Sequence, residues 1–250
     1  MTRNPSGFQV VIPARYASTR LPGKPLSDIH GRPMVAWVAQ AAERSRADGV
    51  VVATDDPRIE AAMKEIKVPV QMTSEHHQSG TDRLAEVASA QGWDKDTVVV
   101  NVQGDEPGMP PALINQVADL LAEYPEAGVA SLCVPITDEQ QWRNPNVVKV
   151  VLDDTGLALY FSRAPIPHDR DGQGDVPAFR HLGIYAYRVS ALQAFTEWSP
   201  ARLEQIEKLE QLRFMAHGVR IAMAVATEPP PEGVDTPEDL VLVRQQLAPA

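Results

Sequence analysis

Short runs of apolar and β-branched residues alternate along the chain with longer segments whose apolar residues recur at helical spacing. Runs 8–14, 49–55 and 96–103 are mostly apolar, as strands covered on both faces should be. This alternation predicts an α/β fold built on a doubly wound, mostly parallel sheet, similar to that of nucleotide-diphospho-sugar transferases. Further strands are predicted at 68–73, 128–136, 147–153, 158–164, 181–188 and 219–226, and helices at 34–45, 79–91, 111–124, 201–218 and 235–247.

The alternation of strands and helices stops from 144 to 190, where predicted strands follow one another without long helices between them. A loop rich in Gly and Asp lies within this segment at 169–176. We therefore expect a single domain over residues 1–250, with 144–190 forming a small strand-rich insertion.

Composition and net charge exclude some classes of protein and indicate a cellular compartment. The 250 residues carry a net charge of −10, which argues against general nucleic-acid binding because that relies on a broad basic surface. The single cysteine, Cys133, cannot form an internal disulfide and favours a reducing compartment. No apolar stretch approaches the ~20 residues of a membrane span, and no secretory signal is recognisable. We expect a cytoplasmic protein without a membrane insertion.

Three cations lie on one proline-stiffened loop directly after the first predicted strand: Arg15, Arg20 and Lys24. Ligands of open α/β sheets bind outside the carboxyl ends of the strands, and arginine and lysine are the side chains that hold phosphates. The loop matches neither the Walker pattern nor the G-x-G-x-x-G fingerprint. The position favours a chain of phosphates as ligand, and a merely solvated basic loop is the alternative.

Two carboxylates, Asp105 and Asp235, are candidate metal ligands, and Asp105 is expected to meet the same ligand as the basic loop. Asp105 follows the strand at 96–103 through Gly104, which allows close backbone approach, and Asp235 precedes the predicted helix cap Thr236. Mg²⁺ is commonly held by one or two carboxylates together with substrate phosphates. The alternatives are an acidic turn at Asp105 and a dipole-favoured acid at Asp235.

A polar loop runs into the helix predicted at 79–91. Ser79 is its expected N-cap, and the backbone amides near Gly80 could hold a base edge or a phosphate oxygen. Arg83, on the first turn, is expected to face the same cleft. His76 and His77 have no partner at metal-ligand spacing, so we expect them to be surface residues rather than a zinc site.

Five further polar residues could be functional or merely structural. Arg163, His181 and Tyr185 interrupt strand patterns, and a lone histidine in a strand is more often a satisfied structural residue. Glu210 and Gln211 lie opposite the apolar stripe of the segment 201–218, and such a face is usually just solvated.

Taken in order, the motifs of the chain resemble those of one enzyme family, the 3-deoxy-manno-octulosonate (Kdo) cytidylyltransferases. The resemblance covers residues 8 to about 247, and drift is expected only in the Gly-rich loop. The motifs that carry it are "IPARYASTRLPGKPL", "ATDD", "HQSGTDRLAEV", "NVQGDEP", "NPNVVKVV", "YFSRAPIP", "HLGIYAYR", "IEKLEQLR" and "GVDTPEDL".

The resemblance implies an Mg²⁺-dependent homodimer that converts CTP and Kdo to CMP-Kdo and diphosphate, a step of lipopolysaccharide biosynthesis. The segment 144–190 would serve sugar binding and dimerisation. Carried onto this chain, the triphosphate would be held by Arg15, Arg20 and Lys24, and Mg²⁺ by Asp105 and Asp235. The nucleotide would also contact Ala14, Ser79, Gly80, Arg83 and Gln103, and the sugar Gln103, Arg163, His181, Tyr185, Glu210 and Gln211.

Two other functions remain open at this stage. The nearest is a cytidylyltransferase for a related sugar acid, such as sialic acid or an amino-Kdo. The other is a non-catalytic nucleotide-binding regulator, which would bind CTP without releasing diphosphate. The presence of both Asp105 and Asp235 argues against a regulator, since mere binding has less need of a metal pair.

Overall fold

A computed structural model describes residues 7–17, 21–77, 79–172, 177–229 and 233–247. The strands are β1 (Phe8–Ala14), β2 (Asp28–Ile29), β3 (Arg32–Pro33), β4 (Gly49–Thr54), β5 (Val70–Met72), β6 (Val98–Asn101), β7 (Ala127–Pro135), β8 (Lys149–Leu152), β9 (Ala158–Ser162), β10 (Phe179–Arg188) and β11 (Arg220–Val225). The helices are α1 (Met34–Glu43), α2 (Pro57–Glu65), α3 (Gly80–Ala90), α4 (Pro111–Glu123), α5 (Glu139–Arg143), α6 (Val189–Glu197), α7 (Arg202–Glu207), α8 (Gln211–Ala216) and α9 (Pro237–Gln246).

The main sheet has the strand order β11-β7-β10-β6-β1-β4-β5. Its pairs are parallel except around β10, which runs antiparallel to both β6 and β7. The predicted α/β fold with a mostly parallel sheet is therefore confirmed. No helix in the described ranges is long and apolar enough to cross a bilayer.

Helices cover both faces of the sheet, which explains why the central strands read as continuous apolar runs. In β1, Val10 and Ile12 pack into one apolar cluster with α1 and α4, while Val11 packs into the opposite cluster with α3 and α6. Because adjacent strand residues point to opposite faces, a strand covered on both sides needs apolar residues on both of its faces.

The segment 144–190 supplies two outer strands and one central strand. β8 pairs antiparallel with β9, and it also pairs with the start of β10. The rest of β10 lies within the main sheet between β7 and β6, so this segment shares a sheet with the central parallel strands. Residues 173–176 of the predicted Gly-rich loop lie outside the described residues.

The segment 201–218 is not one helix, as its apolar spacing predicted, but two. Lys208, with φ at 55°, takes the left-handed conformation and ends α7, and Leu209 then turns into the core, where it is only 6% exposed. Periodicity alone does not reveal this break, since the apolar residues on both sides fit one helical stripe. Helices α2, α5 and α6 were not predicted, although Asp56 before Pro57 is a recognisable start signal for α2.

Candidate active site

The predicted phosphate loop and both predicted metal ligands meet at one cavity. This cavity of about 450 Å³, here called the loop cavity, lies at the carboxyl ends of β1 and β6, which are neighbours in the sheet. The structure thus brings together seven of the residues predicted to bind nucleotide or metal. The loop cavity is lined by Pro13, Ala14, Arg15, Ala17, Lys24, Pro25, Gly80, Gln103, Gly104, Asp105 and Asp235.

Lys24 joins the two carboxylates. Its Nζ donates to Asp105 Oδ2 at 2.6 Å and to Asp235 Oδ1 at 3.0 Å. Burial alone would lower the pKa of Lys24, but the charges and hydrogen bonds of Asp105 and Asp235 outweigh burial, so its pKa is raised above 10.5. The ammonium therefore stays charged and holds two residues that are far apart in sequence at one point.

Two local features place these groups. Gly23 adopts φ 71° and begins the short 3₁₀ turn Lys24–Leu26, so the chain bends sharply just before the lysine. A Cβ on Gly104 would lie 2.7 Å from the carbonyl oxygen of Pro13, so only glycine permits this approach of the β6 turn to the end of β1. On the other side, the backbone amide of Val234 donates to the carbonyl of Asp105 at 2.9 Å and fixes the adjacent Asp235.

Arg15 ties the end of β1 to the start of α3. Its Nη2 donates to the carbonyl oxygens of His77 and Ser79, both at 3.0 Å. Ser79 caps α3 as predicted, because its hydroxyl accepts the backbone N–H of Asp82. Arg20, the middle cation of the predicted loop, lies outside the described residues.

Arg83 differs from the expectation that it faces the cleft. Its side chain is wholly buried, and its Nη2 donates to Asp55 at 2.5 Å while Nη1 donates to the hydroxyl of Thr73. The guanidinium therefore anchors α3 to the ends of β4 and β5 and has no exposed surface in the cavity. An arginine on the first turn can point either way, and the partner Asp55 decides its direction.

A second cavity of about 510 Å³, here called the strand cavity, adjoins the first and shares Asp235 with it. Glu106 lines it with a buried carboxyl group whose Oε2 has no partner among the described residues. Burial, and then the charge of Asp105, raise the pKa of Glu106 to about 8. The strand cavity is lined by Glu106, Met109, Asn146, Val147, Val148, Arg180, His181, Leu182, Gly183, Ile184, Gly233, Asp235 and Asp239.

His181 is one of the predicted sugar-binding residues, and it lines the strand cavity. Its Nε2 lies 3.1 Å from the hydroxyl of Ser131, and its ring packs against Phe161 and Tyr185. Burial lowers the pKa of His181 to about 3, so the imidazole is neutral at neutral pH. Tyr185 itself is 8% exposed, and burial raises its pKa.

Three other predicted sugar-binding residues, Arg163, Glu210 and Gln211, do not line the strand cavity. Arg163 donates from Nε to the carbonyl of Glu207 at 2.7 Å and from Nη1 to the carbonyl of Pro145 at 3.0 Å. Glu210 accepts the hydroxyl of Thr81, and burial raises the pKa of its carboxyl. Gln211 is 7% exposed, and its buried Nε2 has no partner among the described residues. Of the predicted sugar-binding residues, only His181 is among those that line the strand cavity.

Gln103 lies between the two cavities. It lines the loop cavity, and its Nε2 donates to the carbonyl of Gly183 at 3.5 Å, a residue that lines the strand cavity. A side chain in this position can reach both cavities, and the resemblance implies that Gln103 contacts both nucleotide and sugar.

The donor set fits a hard divalent cation held jointly with a ligand. Within the described ranges, no group of three or more His, Cys, Asp and Glu residues could hold a metal by itself. Two carboxylates that reach one ammonium nitrogen can also reach one cation, and Mg²⁺ takes its remaining ligands from phosphates and water.

Sequence reasoning missed Arg180, Asn146 and Glu106, which line the strand cavity. Glu106 and Asn146 lie within motifs that carry the family resemblance, and Arg180 lies directly before one, but the pattern does not tell which face of the strand or turn carries the side chain. Arg180, a charged residue just before His181 in an apolar strand, was the available signal.

Comparison with known proteins gives a consistent assignment. The family model described as Cytidylyltransferase matches residues 9–221. A 3-deoxy-manno-octulosonate cytidylyltransferase of Polynucleobacter necessarius is 58% identical, with 96% of each chain covered, and one of Tolumonas auensis is 56% identical with the same coverage.

Solved structures agree. A CMP:2-keto-3-deoxy-manno-octonic acid synthetase complexed with CTP is 41% identical, with a TM-score of 0.90 over 96% of this chain and 98% of that one. A cytidylyltransferase from Leptospira borgpetersenii, 16% identical with a TM-score of 0.63 over 96% of this chain and 86% of that one, shares the fold. The chain therefore belongs to the family of 3-deoxy-manno-octulosonate cytidylyltransferases, which are nucleotidyltransferase enzymes, as its motifs predict.

Proposed function

We propose that this protein transfers the cytidylyl group of CTP to Kdo, giving CMP-Kdo and diphosphate for lipopolysaccharide biosynthesis. The observation that carries the proposal is the contact of the Lys24 ammonium with both Asp105 and Asp235 in the loop cavity. The contact lies at the carboxyl ends of neighbouring strands, where an α/β sheet binds its ligand, and there Lys24 would bind phosphate and the two carboxylates would bind a metal ion.

The triphosphate would lie along the loop after β1. Lys24 would bind the phosphates through its positive charge. Arg15 fixes the start of α3 by donating hydrogen bonds to the carbonyls of His77 and Ser79. The residues that remain assigned to the nucleotide side are Ala14, Arg15, Arg20, Lys24, Ser79, Gly80, Arg83 and Gln103, with Arg83 acting through the position of α3 rather than by contact.

Asp105 and Asp235 would hold Mg²⁺. When bound, the cation neutralises charge on the phosphates and on the leaving diphosphate. The chain's own contribution is to keep the two carboxylates together, through Lys24 and through the bond between Val234 and Asp105.

The chemical step is an in-line displacement at the α-phosphorus of CTP. The anomeric hydroxyl of the sugar attacks and its proton passes to solvent, the new C–O–P linkage forms, and the bond from the α-phosphorus to the oxygen of the β-phosphate breaks with loss of diphosphate. Both reactants are anions, so cationic groups are needed to bring them together and to stabilise the departing charge. The two adjoining cavities would hold the two reactants on either side of Asp235.

The decisive experiment measures diphosphate release from CTP with and without Kdo, and with sialic acid and an amino-Kdo as competing acceptors. Kdo-dependent release with the highest kcat/KM for Kdo supports the proposal. Preference for another sugar acid would transfer the assignment to that acceptor. A protein that binds CTP but releases no diphosphate with any acceptor would be a regulator.

The metal assignment has its own test. Asp105→Asn should raise the Mg²⁺ concentration at half-maximal activity by at least about 10-fold, because one anionic ligand of a two-carboxylate site is lost. Asp119→Asn, at a carboxylate paired with Arg46 on the surface, is the matched control and should leave the Mg²⁺ titration unchanged. An unchanged titration in Asp105→Asn would contradict the assignment.

We also infer a homodimer located in the cytoplasm. Support for the dimer comes from the family resemblance, and Leu159 on β9 and Ile206 on α7, which are 59% and 66% exposed, are apolar side chains that a second subunit would cover. The segment 144–190 contributes one of these residues. Sedimentation of the purified protein at micromolar concentration tests this, and a monomer mass would contradict it.

A further inference from the structure

The position of Asp235 depends on how the chain that enters α9 is held. Asp235 lies directly before the helix cap Thr236, and its side chain is half-exposed. A metal ligand must be held to within about 0.5 Å of its working position, and groups that do not touch the metal commonly provide this support. The contacts that fix the backbone of Asp235 are therefore part of the candidate metal site.

Asp239, the third residue of α9, accepts two backbone amides at this point. Its Oδ2 accepts the N–H of Asp235 at 2.9 Å and that of Thr236 at 2.8 Å. The hydroxyl of Thr236 accepts the N–H of Asp239 at 3.2 Å in return. The bonds between Thr236 and Asp239 form a capping box, which stabilises the start of the helix. The bond to the amide of Asp235 lies outside that box and fixes the candidate metal ligand itself.

The chain is also held on the other side of Asp235. The backbone amide of Val234 donates to the carbonyl of Asp105 at 2.9 Å. Three successive amides, those of residues 234 to 236, thus have partners, and the last two share the carboxylate of Asp239. Removing that carboxylate would take these bonds from two adjacent amides and let the peptide at Asp235 reorient.

Helix α9 is itself anchored to the chain that follows the basic loop. Arg244, near the end of α9, donates from Nε and Nη2 to the carbonyl of Asp28 in β2, at 2.9 and 2.6 Å. Leu240 and Val243 pack with β2 and the start of α1 in one buried apolar cluster. Because β2 closely follows the turn Lys24–Leu26, α9 and the basic loop belong to one packed unit. The carboxylate on the first turn of α9 therefore has a fixed base.

We propose that Asp239 is a positioning residue for Mg²⁺ binding, which acts by fixing the backbone of Asp235 and does not contact the cation. This inference rests on the proposed function, in which Asp105 and Asp235 hold Mg²⁺ together with the triphosphate of CTP. Loss of the Asp239 carboxylate should leave the contacts of the basic loop with the triphosphate in place. It should lower only the part of the CTP affinity that Mg²⁺ adds.

The test measures the Kd of CTP by calorimetry, once with Mg²⁺ and once with EDTA, in the absence of a sugar acid. The ratio of the two Kd values is the gain in affinity that the metal supplies, and we expect a gain of at least about 30-fold in the wild type. Asp239→Ala should lower this gain by at least about 10-fold and leave the Kd in EDTA within about twofold of the wild-type value.

Asp153→Ala is the matched control. Oδ1 of Asp153 accepts the backbone amides of Thr155 and Leu157 at 2.8 and 2.9 Å, in the turn between β8 and β9. This turn lies at the end of α4 remote from Asp105, since the hydroxyl of Tyr124 donates to the carbonyl of Thr155 at 2.8 Å. The control loses the same kind of bonds, so it should cost stability in thermal unfolding but keep the wild-type gain from Mg²⁺.

Asp239→Asn separates the position of Asp235 from the charge of Asp239. It loses the same charge as Asp239→Ala but keeps an oxygen that can accept both amides, so the gain from Mg²⁺ should fall by only about 3-fold. Equal losses in the two variants would indicate an effect of charge and overturn the inference. Should Asp239→Ala fail to fold, Asp239→Asn decides, and a wild-type gain in Asp239→Asn would contradict the inference.

The outcomes distinguish this inference from the proposed function. A wild type whose CTP affinity does not change with Mg²⁺ would overturn the metal assignment in the proposed function, and this inference with it. A wild-type gain that Asp239→Ala retains would overturn this inference alone. With Kdo present, Asp239→Ala should raise the Mg²⁺ concentration at half-maximal rate by about 10-fold and leave the KM for Kdo at saturating Mg²⁺ unchanged, and an unchanged Mg²⁺ titration would count against the inference.

Discussion

Replacing Lys24 by methionine tests the central contact of the site. Methionine keeps the apolar length of the side chain and removes the charge that Asp105 and Asp235 share. Lys24 is 13% exposed in its side chain, whereas Asp105 and Asp235 are 33% and 49% exposed, so solvent screens much of the attraction. We therefore expect the free energy of unfolding to fall by no more than about 2 kcal/mol.

The loss of turnover should be larger than this loss of stability suggests. Removing a charge that stabilises a leaving phosphate commonly lowers kcat by about 10- to 1,000-fold, which corresponds to about 1.4 to 4 kcal/mol in the activation free energy. The assay is kcat for diphosphate release at saturating CTP, Kdo and Mg²⁺, measured with folded enzyme. Because the pKa of Lys24 is raised, its ammonium stays charged below pH 10.5 and loses its ion pairs only as pH rises above that value. The loss of kcat in Lys24→Met should therefore be the same at every pH from 6 to 9.

Lys64→Met provides the matched control, since Lys64 forms an exposed i,i+4 pair with Glu60 on α2. It should keep wild-type turnover and lose at most about 0.5 kcal/mol of stability. The reasoning is refuted if Lys24→Met retains wild-type kcat, or if its turnover falls only in proportion to the fraction of protein that unfolds.

Two further predictions concern stability. Burial lowers the pKa of His181 from about 6.5 in the unfolded chain to about 3 in the folded protein, so the free energy of unfolding falls as pH falls below 6.5. His181→Gln should remove about 2 kcal/mol of the wild-type loss between pH 7 and 5, measured by urea unfolding, and an unchanged pH dependence would contradict this. Gly104→Ala should lower the free energy of unfolding by about 1–3 kcal/mol, because its Cβ would meet the carbonyl of Pro13 at 2.7 Å. Gly80→Ala is the control, since a Cβ there meets no atom within 4 Å, and equal unfolding midpoints for the two variants would contradict this prediction.

The convergence of the basic loop and Asp105 could be predicted from sequence, because both follow strands whose carboxyl ends lie at the same edge of a parallel sheet. Asp235 is different. No local pattern connects it with Asp105, and family resemblance alone suggested the pairing. In the structure a backbone bond from Val234 to Asp105, and the shared contact with Lys24, bring the two carboxylates together.

Side-chain direction limited what the sequence could predict about the rest of the site. Arg83 was expected to face the cleft, but burial against Asp55 and Thr73 turns it inward. Arg180 was not singled out, although it belongs to the same strand as His181. Side-chain direction also explains why the predicted helix 201–218 is broken at Lys208. The left-handed conformation of Lys208 lets Leu209 pack in the core, and the spacing of the apolar residues in the sequence does not reveal it.

The position of β10 has a consequence for synthesis of the chain on the ribosome. Its hydrogen-bonding neighbours, β6 and β7, are both made earlier, and neither can complete that edge until residues 179–188 emerge. The edge of β6 that pairs with β10 therefore stays open from residue 101, and that of β7 from residue 135, until β10 emerges, and such edges invite pairing with other chains. Arrival of β10 joins β7 to the strands made before it, and β11 is added to the other edge of β7 only afterwards.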